Sequence, residues 1–225
     1  MATLVLVRHA TTAATGKRLG GWTPGVHLDA PGVAQAEATA GRLADQPVTA
    51  VYASPLERTQ ETAASVAEPH GLEVRTRRGL GEVDYGDWTN KPLGQLRRRK
   101  AWEIVQRTPS RMQFPGGESI RAAQARVVDE TEALAAEHAG ETIVCVSHAD
   151  VIKAVVAHHL GMPLDAFQRL VIAPASVTVL HLPDGGHPLL VRFNDTGPMT
   201  APSSPPTKAA TKKAATTKMA KGGKR

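Results

Sequence analysis

Cysteine is almost absent from this chain of 225 residues: Cys145 stands alone, so no intramolecular disulfide forms and no thiolate cluster exists for structural zinc. Long apolar runs are missing too. None approaches the ~20 residues that cross a bilayer, and the opening residues 1–7 meet a charge at Arg8 before a secretory apolar region develops. These absences predict a cytoplasmic protein with no membrane partner. Wholesale disorder is excluded as well, because 41% of the residues are apolar and 21% charged, ordinary values for a globule. A mass of 23.8 kDa suits one domain of moderate size.

Acidic residues are absent from one stretch only. Residues 199–225 hold six lysines and Arg225 with no acid. Residues 1–198 then carry 20 basic residues against 21 acidic ones, so the formal charge of +6 belongs to the end of the chain. The basic residues change type there as well, from mostly arginine to mostly lysine. A boundary is expected near Pro198, dividing a folded body, 1–198, from a disordered Lys/Ala/Pro-rich tail, 199–225. That tail is either a solubilising extension or a nonspecific, salt-sensitive contact for nucleic acid or another polyanion.

The body reads as alternating elements. Residues 3–7 are a short apolar, β-branched run of the kind buried on both faces of a sheet. Residues 48–53, 72–76 and 142–147 read as further strands, and 176–182 with 189–193 as a closing hairpin. Helices are expected over 34–43, 55–67, 93–106, 118–138 and 150–160. Ser54-Pro55-Leu56-Glu57 has the form of a capping box with proline at the first helical position. The alternation predicts an α/β protein, a three-layer α/β/α sandwich whose mainly parallel central sheet has an antiparallel edge.

In such sheets chemistry collects beyond the carboxyl ends of the strands. Three predicted strands end in polar residues: Arg8-His9, Ser54-Pro55-Leu56-Glu57-Arg58 and Ser147-His148. If these strands are neighbours, two guanidiniums and two imidazoles converge on one pocket without an obvious set of metal carboxylates. That donor set suits a phosphoryl group, whose oxygens take paired N–H groups from arginine.

Six motifs then occur in a telling order: Leu6-Val7-Arg8-His9, Leu28-Asp29-Ala30-Pro31-Gly32, Ser54-Pro55-Leu56-Glu57-Arg58-Thr59, Gly81-Glu82-Val83-Asp84-Tyr85-Gly86-Asp87-Trp88, Pro115-Gly116-Gly117-Glu118-Ser119 and Val146-Ser147-His148. Over residues 3–195 the chain resembles the histidine phosphatase superfamily, the phosphoglycerate-mutase-like proteins. The resemblance implies that His9 is the phosphorylated nucleophile, that Arg8, Arg58 and His148 hold the phosphoryl oxygens, that Glu82 is the proton donor and that Thr15 stands at a substrate-binding position. It implies a phosphorylated small-molecule substrate and neither metal nor organic cofactor.

The sequence departs from the family at Ala10, where glycine is usual and a methyl group predicts crowding, and at Thr11 and Thr15, where glutamate and asparagine are frequent. Only 33 residues separate Glu82 from Gly116. The glycolytic mutases carry a longer insertion there, so a phosphomonoester hydrolase is favoured over a phosphomutase. A non-catalytic polyanion-binding protein is the remaining alternative, opposed by the presence of Arg8, His9, Arg58, Glu82 and His148 together. The oligomeric state is not legible. Cys145 reads as inert core within a strand. Arg97-Arg98-Arg99-Lys100 reads as a solvated helix face or as charge at the pocket mouth. The pair His158-His159 invites a metal reading, but adjacent residues do not share a helix face, so an exposed or partly packed pair is expected.

Overall fold

Strand β1 (Ala2–Arg8) is buried on both sides because its residues alternate between two cores. Leu4 and Leu6 join Tyr52, Ile143 and Cys145 on one face. Val5 and Val7 join Val51, Val144 and Val146 on the other. These four β1 side chains are at most 4% exposed, and burial of each contributes about 1.5–3 kcal/mol. In this computed structural model, which describes residues 1–183 and 185–197, both faces are covered by helices. Helices α1 (Ala30–Leu43) and α2 (Glu57–Ala67) close the valine face through Ala40, Leu43, Ala63 and Val66. Helices α5 (Ile120–Glu137) and α6 (Ala149–His159) close the leucine face through Val127, Leu134, Ile152 and Val155. Two short helices, α3 (Leu93–Leu96) and α4 (Lys100–Arg107), flank the same face.

The remaining strands are β2 (Val48–Ala53), β3 (Val74–Thr76), β4 (Thr142–Ser147), β5 (Val177–Leu182) and β6 (Leu189–Asp195). Their order is β3-β2-β4-β1-β5-β6. The first four run parallel, whereas β5 is antiparallel to β1 and β6 to β5. This is the three-layer sandwich with an antiparallel edge that the alternation of elements predicted. After β1 the chain crosses to α1 on one face, and after β4 it enters α6 on the other. These adjacent strands therefore part at their carboxyl ends and open a crevice there.

Four expectations need correction. Helix α1 begins at Ala30, four residues early, because Asp29 caps it by accepting from Gly32 N at 2.8 Å. Gly32 thus lies inside the first turn. The capping box at Ser54 does not form: α2 starts at Glu57 without a side-chain cap. Ser54 Oγ instead lies 2.9 Å from His148 Nε2, so the hydroxyl is drawn into the crevice. The single helix over 93–106 is two helices, with Arg97, Arg98 and Arg99 between them and exposed; the guanidinium of Arg99 sits 5.6 Å over the Trp88 ring. Strand β3 is shorter than expected. The boundary near Pro198 and the basic tail lie outside the described residues. No helix among the described residues is long and apolar enough to cross a membrane.

Candidate active site

The register of the sheet assembles the crevice. Arg8 pairs with Ser147 across β1 and β4, and His9 N donates to Ser147 O at 2.9 Å, which sets His9 beside His148. Their rings meet edge to face with centroids 5.2 Å apart. On the other side of β4, Ser54 N donates to Val146 O at 3.1 Å, so β2 delivers Ser54 to the same level. In the first turn of α2, Arg58 reaches back: its Nη2 donates to Gly21 O at 2.9 Å and lies 3.3 Å from His148 Nδ1. Arg8, His9, Thr15, Arg58 and Glu82 all line one cavity of about 230 Å³, with Arg18 and Asp150 at its wall. His148 is fully buried behind it.

The hydrogen bonds fix the imidazole tautomers. His9 Nδ1 is 2.8 Å from Ala10 O; a carbonyl only accepts, so Nδ1 carries the proton and Nε2 keeps its lone pair. Burial, reinforced by Arg58 and Arg8, pushes His9 down to about 3, and the ring is neutral at ordinary pH. At His148 the guanidinium of Arg58 donates, so Nδ1 accepts and Nε2–H donates to Ser54. Burial, then Arg58, His9 and Arg8, holds His148 well below the usual imidazole range.

Positive charge at the site therefore comes from arginine. Arg8 Nη1 donates to Ile172 O at 2.7 Å, which orients the guanidinium, while its Nε is buried with no hydrogen-bond partner among the described residues. Arg58 Nη1 is in the same condition. Leaving a buried charged donor unpaired costs on the order of 1–3 kcal/mol or more. Both arginines line the cavity together with His9, an arrangement with donors to offer an anionic group.

Glu82 sits opposite, its side chain 12% exposed and its Oε2 3.9 Å from His148 Nδ1. Burial, assisted by Asp150 and opposed by Arg58, raises it to about 7. Its backbone is pinned from two sides, Trp22 Nε1 donating to Glu82 O at 2.6 Å and Arg126 Nη2 at 3.3 Å. Thr15 lines the cavity too, but its hydroxyl accepts from Thr12 N at 2.9 Å and braces its own loop. Ala10 does not crowd the site. Its methyl packs with Ala36 and Ala175, and its N–H donates to Thr62 Oγ1 at 3.1 Å.

The sequence alone did not single out Asp150, Trp22 or Arg126, and it gave Tyr85 and Ser54 no part in the site chemistry. Asp150 Oδ2 accepts from Tyr85 OH at 3.0 Å and its Oδ1 from Lys153 Nζ at 3.0 Å. Its position two residues beyond His148, at the start of α6, was the available signal. Trp22 and Arg126 act through a backbone carbonyl and carry no motif of their own. Cys145 is inert core as expected, its thiol pushed up to about 12 by burial.

Comparison with known proteins agrees with this geometry. The model of the histidine phosphatase superfamily (branch 1) matches residues 4–196. Phosphoserine phosphatase 1 of Hydrogenobacter thermophilus is 31% identical over 186 residues, covering 81% of this chain and 87% of that protein. Among solved structures, YhfR of Bacillus stearothermophilus superposes with a TM-score of 0.81 at 27% identity, covering 87% of this chain and 98% of its own. A mycobacterial glucosyl-3-phosphoglycerate phosphatase superposes with a TM-score of 0.77 at 27% identity, covering 86% and 98%.

Proposed function

The chain belongs to branch 1 of the histidine phosphatase superfamily, and from that premise we propose that it is a metal-independent phosphomonoester hydrolase working through a phosphohistidine on His9. The observation that carries this reading is the neutral His9 ring, Nδ1–H committed to Ala10 O, beside the unpaired donors Arg8 Nε and Arg58 Nη1. The His9 Nε2 lone pair attacks phosphorus as the ester P–O bond breaks, and protonated Glu82 gives its proton to the departing alkoxide. Glu82 carboxylate next takes a proton from water, which attacks the phosphohistidine, releases phosphate and restores His9. Arg8 and Arg58 offset charge on the equatorial oxygens throughout. His148 becomes a donor to them when the incoming dianion favours its protonation.

The relatives' names speak of phosphoserine and glucosyl-3-phosphoglycerate. A cavity of about 230 Å³, below the ~300–1,000 Å³ of drug-sized pockets, supports a small phosphorylated metabolite here. The short span from Glu82 to Gly116 supports water, rather than a second hydroxyl, as the acceptor. Among the described residues no three metal-ligating side chains converge in this pocket, and arginine supplies the charge that a metal otherwise would. Residues 199–225, with seven basic residues and no acidic one, carry the charge for polyanion contact.

The test is phosphate release from a panel of small phosphate esters with EDTA present. Hydrolysis of at least one ester, unchanged by the chelator, is expected. Efficient isomerisation of a phosphoglycerate, or dependence of the chemical step on added magnesium or zinc, contradicts the reading.

A further inference from the structure

The adjacent imidazoles His158 and His159, at the carboxyl end of α6, gain a third neighbour that their own helix does not supply. Helix α5 packs beside α6 and places Glu132 there, with its Oε1 3.7 Å from His158 Nε2. The two rings stand nearly perpendicular with centroids 5.1 Å apart. One ligating atom from each of Glu132, His158 and His159 lies within 4.8 Å of the other two. This is the one group of three such residues among those described. A second observation concerns His159 alone: its Nε2 is buried and has no hydrogen-bond partner among the described residues. Glu132 and His159 also border a cavity of about 310 Å³ beneath the β5–β6 turn, which leaves room for water beside the group.

We propose that Glu132, His158 and His159 bind one divalent cation of borderline softness, Zn²⁺ above all, with a remaining position open to water. Two imidazoles and one carboxylate form a known type of zinc ligand set, and imidazole favours zinc, copper and nickel over magnesium or calcium. A tetrahedral ion with bonds near 2.1 Å needs donors about 3.4 Å apart, so the three groups close by roughly an ångström. His158 and Glu132 are free to do so, their side chains being 47% and 55% exposed. Burial and the neighbouring His158 hold His159 below the usual imidazole range, in the neutral form that a metal takes. The site lies at the end of α6 where the helix dipole is negative and favours a cation. His158 lies ten positions beyond His148, about 15 Å along the helix. The ion therefore clasps α5 to α6 without touching the phosphoryl pocket. His158 is exposed and His159 partly packed, as the sequence predicts, and the third ligand comes from another helix, which residue spacing does not reveal.

The experiment is calorimetric titration of the full chain with ZnCl₂, together with thermal unfolding with and without the ion. One equivalent is expected to bind with micromolar or tighter affinity and to raise Tm by a few degrees at saturation. Glu132→Gln and His158→Ala change exposed side chains and are expected to fold. Each should weaken binding tenfold or more and abolish the Tm rise, while turnover without metal stays at the wild-type rate. Absence of stoichiometric Zn²⁺ binding overturns the proposal. So does binding that neither substitution weakens, since the ion then sits on other imidazoles such as His9 and His148. Neither result bears on the phosphohistidine chemistry, which is measured in EDTA.

Discussion

At the scale of the residue, the site separates two titrating groups by environment. His9, pushed down to about 3, keeps its nucleophilic lone pair across the ordinary pH range, and Glu82, raised to about 7, still holds a proton near neutrality. The reaction begins with a protonated acid, so kcat/KM should fall with unit slope above about pH 7. Glu82→Gln should lose that alkaline limb and lower the rate ~10²- to 10⁴-fold; a limb left in place assigns it to another group. The same shift bears on stability. The folded value exceeds the ordinary 4.5, so between these pH values the native state binds more protons, and stability present below about 4.5 is lost as pH rises through 7. Glu82→Gln should therefore be more stable than wild type at pH 8, by at most about 3 kcal/mol, and equally stable at pH 4. Arg8, His9, Arg58, Glu82 and His148 were all legible in the sequence because each ends a strand or sits in a motif. Ser54 was misread as a helix cap. A hydroxyl serves an imidazole or a helix equally well, and only the register of β2 against β4 decides.

At the scale of the element, the loops that carry the motifs are held by close backbone contact. Gly86 has φ +49°, and a Cβ added there would lie 2.2 Å from Pro115 O; one at Gly117 would lie 2.2 Å from Asp84 O. Two motifs far apart in sequence are thus one packed unit behind Glu82, tied further by Asp84 N donating to Glu118 Oε1 at 2.9 Å. Gly32 plays a similar part against the loop after His9, where a Cβ would meet Thr11 O at 2.1 Å. Glycine to alanine ordinarily favours a helix by up to about 1 kcal/mol, but overpacking against a fixed carbonyl costs about 1–3 kcal/mol. Gly32→Ala should accordingly destabilise by on the order of 2 kcal/mol in denaturant titration and slow turnover by displacing Thr11. A gain in stability means that the loop gives way easily. The parallel strands were legible from their apolar runs. The break at Arg97 to Arg99 was not, because no proline or glycine marks it and its residues all favour helix.

At the scale of the whole molecule, catalysis and net charge occupy different parts of the chain. The cavity is complete within the residues that the family model covers, 4–196, whereas seven positive charges and no negative ones lie in 199–225. If the tail neutralises up to ~7 phosphates, weak binding to duplex DNA or RNA should result that falls steeply with salt and hardly depends on base sequence. A variant ending at Pro198 should lose that binding at low salt and keep full turnover on a small ester. Equal nucleic-acid binding by both forms removes the tail from the account, and a large loss of turnover moves the boundary.

The central claim, covalent catalysis by His9, meets its most direct test in trapping the intermediate. Protein mixed with a hydrolysed phosphate ester, quenched without acid and digested, should yield a peptide carrying phosphate on His9. His9→Ala should give no such peptide and lose several orders of magnitude in rate. Phosphate on another residue, or wild-type turnover by His9→Ala, contradicts the account.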